Sequence, residues 1–181
     1  MGSRIKSITV SLALLSAPVA YGQEPQAPKP GPEHERLGYF VGTWKTVGEM
    51  KPGEMGPGGK MSSTDRCEWF DGRFSVVCHS EGRSPLGAGK SIGILSYNPE
   101  QKVYTYYGVD SLGMTMASVP HGTVSGDTWT YHEESMMGGK KVKSRVKIKE
   151  ESPTAYTFTM ETQGADGKWM PVMESRSTKS Q

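Results

Sequence analysis

The sequence predicts an all-β fold, a single up-and-down antiparallel β-barrel of about ten strands with a short N-terminal helix closing one end. Three observations predict it. Short runs alternate between apolar and polar residues, the period of a half-buried strand. Turn residues separate consecutive runs: Asp71-Gly72, Asn98-Pro99, Gly126-Asp127, Ser152-Pro153 and Asp166-Gly167. Connections long enough for a βαβ crossover are missing. Closing such a meander removes its exposed edges. A sandwich is the runner-up, but its Greek-key returns need longer connections.

The first residues read as a leader. Arg4 and Lys6 form a basic start, and residues 8–19 form an apolar run. That run is shorter than the roughly 20 residues a membrane helix needs. Ala20-Tyr21-Gly22 then supplies a small-residue cleavage site. The expectation is a signal peptide over residues 1–22 and an exported protein, periplasmic or extracellular. A retained N-terminal helix is the alternative. Residues 23–32 are rich in proline and polar side chains and read as a linker. The barrel domain is expected over residues 33–179. Losing Arg4 and Lys6 takes the 21 basic residues to 19, level with the 19 acidic ones. The balance then offers no hint of nucleic acid, and no later apolar run is long enough to span a membrane.

In chain order, residues 33–41 place Leu37, Phe40 and Val41 at helical spacing, and Gly42 stops the helix. Residues 43–50 form the first strand. The glycines and prolines of residues 51–59 make a loop. Residues 61–70 and 73–82 form a hairpin. A two-residue turn at Asp71-Gly72 pairs Trp69 with Phe74 and Cys67 with Val76. Cys67, Trp69, Phe74, Val76 and Cys78 then share an apolar face. Residues 90–97 and 102–109 make the next pair. A short strand is expected at 114–119, with turns at 120–122 and 125–127. Residues 127–135 follow. Residues 141–149 alternate most cleanly, with Val142, Ser144, Val146 and Ile148 on one face and five basic residues on the other. We read those basic residues as a solvated face with acids such as Glu174 nearby. Residues 156–161 and 169–179 complete the barrel, and Pro171 marks a bulge or an edge.

Candidate chemistry is sparse. Cys67 and Cys78 are the only cysteines, and an oxidising compartment favours a bridge between them. In the Asp71-Gly72 register they are diagonal, about 7–8 Å apart. Moving the turn to Gly72-Arg73 would set them opposite each other. Two free thiols in the wall are the alternative. All but Met1 of the 11 methionines follow the leader. Met114, Met116, Met136, Met137 and His132 therefore allow a periplasmic copper binder. Methionine as a gap-filling core residue is the plainer reading. Catalysis has little support: Gly-x-Ser-x-Gly is missing, and Glu133-Glu134 and Glu150-Glu151 point to opposite strand faces. No metal site and no catalytic residue is assigned.

Phe40-Val41-Gly42-Thr43-Trp44-Lys45 resembles the start of the calycin barrels: lipocalins, fatty-acid-binding proteins and nitrobindin-like proteins. In them a Gly-x-Trp opens the first strand, and the Trp closes the barrel floor under an Arg from the last strand. The resemblance implies that role for Gly42, Trp44 and Arg176. A nitrobindin-like haem would need a late histidine, and none follows His132, so no cofactor is expected. The mature chain also resembles a family of bacterial exported proteins called domain of unknown function 1579. It does so through His34-Glu35 to Trp44, Cys67-Glu68-Trp69-Phe70-Asp71-Gly72-Arg73-Phe74, Tyr97-Asn98-Pro99, Gly126-Asp127-Thr128-Trp129 and Asp166-Gly167-Lys168-Trp169. The expected function is binding of a small apolar ligand. Candidate lining residues are Trp69, Phe74, Tyr107, Trp129, Phe158 and Met160. A ligand-free structural or protein-interaction barrel is the alternative, and an enzyme comes last.

Overall fold

The computed structural model describes residues 27–53, 56–113, 118–137 and 140–180. The proposed leader over 1–22 and the first part of the linker lie outside these residues. The described chain starts with a five-residue helix, α1 (Pro32–Arg36), and one 3₁₀ turn (Leu37–Phe40). Pro32 sits at the first helical position, where a missing N–H costs nothing. Trp69 packs so closely over Gly38 that an added Cβ there would lie 3.1 Å from the indole.

Ten antiparallel strands follow: β1 (Gly42–Met50), β2 (Gly59–Trp69), β3 (Ser75–Ser84), β4 (Gly87–Asn98), β5 (Val103–Asp110), β6 (His121–Ser125), β7 (Thr128–Met137), β8 (Lys140–Ser152), β9 (Ala155–Gln163) and β10 (Trp169–Lys179). Each pairs with its neighbours in sequence, and β1 pairs with β10 to close the barrel. This is the predicted architecture. The bulge expected at Pro171 is found between Pro171 and Met173. It leaves Trp169 and Pro171 outside and turns Met173 inward. Among the described residues the ladder between β5 and β6 is short, with Tyr104 opposite Gly122 and Thr105 opposite His121.

Two predicted details differ. The β2–β3 hairpin does not use a two-residue turn at Asp71-Gly72. Gly72 and Arg73 both take positive φ, 82° and 61°, and the Arg73 N–H donates to the Phe70 carbonyl at 2.9 Å. The loop thereby takes in Phe74, and each β2 residue pairs two positions further along β3. Cys67 then faces Cys78 directly. The two are bridged, with their Cα atoms 4.0 Å apart. The second difference is β6. A strand was expected at 114–119 and turns on either side of it. Residues 114–117 lie outside the described residues, Ser118 and Val119 are not in a strand, and the strand is His121–Ser125. Gly122 there is not a turn glycine. The Tyr131 ring occupies the space that its Cβ would fill, 2.6 Å away.

The core gathers at the helix end. Leu37, Phe40, Trp44, Val76, Tyr104, Trp129 and Tyr131 are all buried. Phe40 meets Trp129 at 5.0 Å between ring centroids, and Tyr104 meets Trp129 at 4.8 Å. Offset and edge-on contacts of this kind suit the aromatic quadrupole. Glu150 ties the helix to this cluster. Its Oε1 accepts from Trp129 Nε1 at 2.6 Å and pairs with Arg36 at 2.6 Å.

The five basic residues of β8 lie outside, as expected, but their acids are not Glu174. Arg145 and Lys147 pair with Glu161, and Lys141 and Lys143 pair with Glu134. Glu174 lies beside Lys51 instead, at 3.5 Å.

Candidate functional site

Barrel closure is built on Trp44, which is 1% exposed. Its Nε1 donates to the Phe40 carbonyl at 2.7 Å. Tyr156 packs edge-on against it at 4.8 Å. The cation beside it is Lys179 and not Arg176. The Lys179 ammonium lies 4.7 Å from the indole centroid and donates to the Tyr39 carbonyl at 3.4 Å. The reason is strand parity. Trp44 pairs with Lys179, which shares its inner face, whereas Arg176 pairs with Val47 on the outer face. Arg176 there binds Glu151 at 2.8 Å. Gly42 holds φ at +127°, a region that side chains rarely adopt. The Lys179 stem passes within 3.2 Å of where its Cβ would be. The Gly-x-Trp pattern thus makes room for the lysine that covers the tryptophan.

The proposed lining residues separate into three groups. Trp69 and Trp129 face inward but belong to the closed end. Phe158 and Met160 alternate inward on β9, in step with Tyr156. Phe74 and Tyr107 are not in the lumen. Phe74 sits in the β2–β3 loop against His34, with ring centroids 5.1 Å apart. Tyr107 is 46% exposed and lies outside beside Ile94, because Tyr104 and Tyr106 take the inward positions of β5. Of the methionine and histidine set, Met136 and His132 lie on the outer face of β7, and Met114 and Met116 lie outside the described residues.

Above the aromatic floor the lumen is lined differently. Many of its inward positions carry small or polar side chains, Thr46, Ser63, Asp65, Ser80, Ser91, Ser175 and Ser177, with Met50, Met61 and Met173 inward at the far end. Asp65 pairs with Trp44 on one side and Ser80 on the other, so it stands directly on the floor. Thr46 Oγ1 and Ser63 Oγ both donate to Asp65 Oδ2 at 3.1 Å. Thr46 and Ser177 share a hydrogen bond at 2.7 Å, and Tyr156 stands opposite Ser177 in the ladder. Tyr106 lies flat against the wall. A Cβ at Gly93 would sit 2.8 Å from its ring and one at Gly108 3.1 Å from its hydroxyl. The two glycines keep that ring from crossing the lumen. This polar half is what sequence reasoning missed. Its signal was present in the alternation of Ser, Gly and Asp at every second position of β2, β3 and β4.

The phenols around this region resist ionisation. Burial pushes Tyr156 up to about 12, with Asp65 adding to the effect. Burial also raises Tyr106 and Tyr131, and Tyr39 to about 12. The Tyr131 hydroxyl is sealed from solvent and has no hydrogen-bond partner among the described residues. An unfolded tyrosine ionises near pH 10, whereas these phenols stay neutral in the barrel at that pH. Their contribution to stability is complete below about pH 10 and is lost as the pH rises from there toward 12. Alkaline titration followed by phenolate absorbance should show a late group of tyrosines that ionises together with loss of the barrel's circular dichroism. Independent ionisation of every tyrosine of the barrel near pH 10 would contradict it.

Two open concavities lie elsewhere. One of about 390 Å³ sits at the β4–β5 turn, between Ser96 and Glu100. Another of about 360 Å³ lies on β7 and β8 beside Trp169. Among the described residues no cluster of three or more His, Cys, Asp or Glu side chains is arranged to hold a metal.

The closed ten-strand meander with a helical cap and an aromatic floor defines a calycin-like barrel. The chain belongs to the family described as protein of unknown function DUF1579, whose profile matches residues 29–179. No curated protein matches it in sequence. In structure it is similar to Rv2717c from M. tuberculosis, with 10% identity, 83% of this chain and 99% of that one covered, and a TM-score of 0.57. It is also similar to the S-type phycobiliprotein lyase CPES from Guillardia theta, with 13% identity, 82% and 93% coverage, and a TM-score of 0.52. At these identities the likeness is one of fold.

Proposed function

We propose that this is an exported binding protein that holds a small molecule in the half of the barrel away from the helix. One observation carries the reading. In that half Ser63, Asp65, Ser80, Tyr106, Phe158 and Met160 point inward and remain partly exposed, beside the buried Met50, Thr46 and Ser177, whereas the floor residues Trp44, Trp129 and Val76 are sealed. Solvent therefore reaches Asp65, which stands next to the floor. A concave site with apolar walls and a few convergent polar groups is the usual form of a ligand site. Phe158 and Met160 supply the apolar wall, and the hydroxyls around Asp65 supply the polar end. The ligand that fits is amphipathic rather than wholly apolar. Export is supported by the leader pattern and by the Cys67–Cys78 bridge, since disulfides persist in oxidising compartments.

Native mass spectrometry of the protein purified from its own host tests this. A co-purifying small-molecule mass is expected. Ser80→Trp places an indole beside Asp65 and should remove that mass while leaving the circular dichroism of the barrel unchanged. A bare mass from the unmutated protein, or one that persists in Ser80→Trp, would overturn the reading.

A further inference from the structure

We infer that the lumen contains a subsite for a small organic cation, with the Asp65 carboxylate facing its charged head. The inference rests on the lumen reading above and assigns the chemistry of the polar end.

The inner wall carries more acidic than basic positions. Asp65, Asp110 and Glu133 occupy inward positions, in step with Cys67, Tyr104 and Tyr131 on their own strands. By register Lys140 falls at an inward position at the start of β8, and Lys179 at the end of β10, where it is held at the closed end by Trp44 and the Tyr39 carbonyl. Nearer the rim, Asp110 Oδ1 accepts from the Leu112 N–H at 2.7 Å. Glu133 Oε1 accepts from Ser118 at 3.2 Å. Asp65 is the deepest of the three. Its hydrogen bonds both come from neutral hydroxyls and both reach Oδ2. None of the ion pairs among the described residues includes it.

A half-buried carboxylate served only by hydroxyls lacks the cation that normally offsets its lost hydration. The surroundings favour one. Tyr106 and Tyr156 lie close enough to Asp65 to feel its charge, and tyrosine faces attract ammonium and guanidinium groups. An independent observation points the same way. Tyr131, 4% exposed and inward on β7, has a hydroxyl with no partner among the described residues. Across Gly122 of β6 it lines up with Tyr104, which shares the inner face of β5 with Tyr106. A buried hydroxyl without a partner marks a polar region whose hydrogen bonding is incomplete. The same acidic wall repels anions, so the site selects by exclusion as well as by attraction.

Three probes of nearly equal size decide it: phenethylammonium, phenethyl alcohol and 3-phenylpropionate, titrated calorimetrically into the full mature protein at neutral pH. Phenethylammonium should bind at least about tenfold tighter than the alcohol, the gain of one charge-assisted contact. The anion should bind weakest. Asp65→Asn keeps the acceptor for Thr46 and Ser63 and should erase the preference for the cation while still binding the alcohol. Equal affinity for cation and alcohol, tighter binding of the anion, or an unchanged preference in Asp65→Asn would each overturn the inference and leave the lumen reading standing. If none of the probes binds, the inference falls; the native mass measurement then decides the lumen reading separately. Should Asp65→Asn fail to fold, the order of the three probes on the unmutated protein remains decisive.

Discussion

Trp44→Ala is expected to lower the unfolding free energy by about 3–5 kcal/mol, the range for deleting a large aromatic side chain from a well-packed site. The indole is sealed at 1% exposure and touches both the helical cap and the last strand. Its loss leaves the Phe40 carbonyl without its indole donor and Lys179 without its aromatic face. The cavity would open beneath Tyr156, whose ring centroid is 4.8 Å away. Little can move in to fill it, because the neighbours belong to the barrel wall and the cap. Chemical denaturation followed by circular dichroism measures the change. Trp44→Phe should lose less, since a ring remains but the hydrogen bond does not. A change below about 1 kcal/mol for the alanine variant would mean that the floor does not depend on this residue.

Replacing both Cys67 and Cys78 by serine should cost about 2–4 kcal/mol. The bridge joins residues 11 apart in sequence, so it closes a short loop and its effect on the unfolded chain is moderate. It also staples β2 to β3 at the level of the core, where Cys67 packs with Val76. Denaturation midpoints with and without reductant give the figure on the unmutated protein. Thiol counting under denaturing, non-reducing conditions should find no free thiol. Two free thiols would remove the bridge and with it one support for export.

The architecture was legible because turn chemistry is local. Asn98-Pro99, Gly126-Asp127 and Asp166-Gly167 stop strands regardless of what surrounds them. Faces were harder to read. On β4 and β5 the more apolar set, Ile92, Ile94, Tyr107 and Val109, is the exposed one, and the glycines and Tyr106 face inward. Choosing the inner face by hydrophobicity therefore put Tyr107 on the wrong side. The glycines opposite Tyr106 carried the correct answer. The hairpin register failed for a related reason: Arg73 adopts a positive φ that its residue type does not advertise. Arg176 was assigned by resemblance, and the pairing of β1 with β10 places Lys179 there instead. The polar half of the lumen went unread because serine and threonine on a strand look like solvent-facing residues. The mean hydropathy of −0.55 is a whole-chain hint that this barrel does not fill itself with apolar side chains.

The short ladder between β5 and β6 also bears on how the ring comes apart. A hoop fails at its weakest stave. Other seams run far longer, with β3 and β4 matched from Ser75 to Ser84 and β7 and β8 along most of their length. The β5–β6 seam has two matched pairs among the described residues. Transient gaping should start there, turning a cylinder into a curled sheet while the helix-capped end stays shut. Amide protons of Tyr104 to Asp110 should then exchange with solvent sooner than those of β2 and β3, which the disulfide pins together.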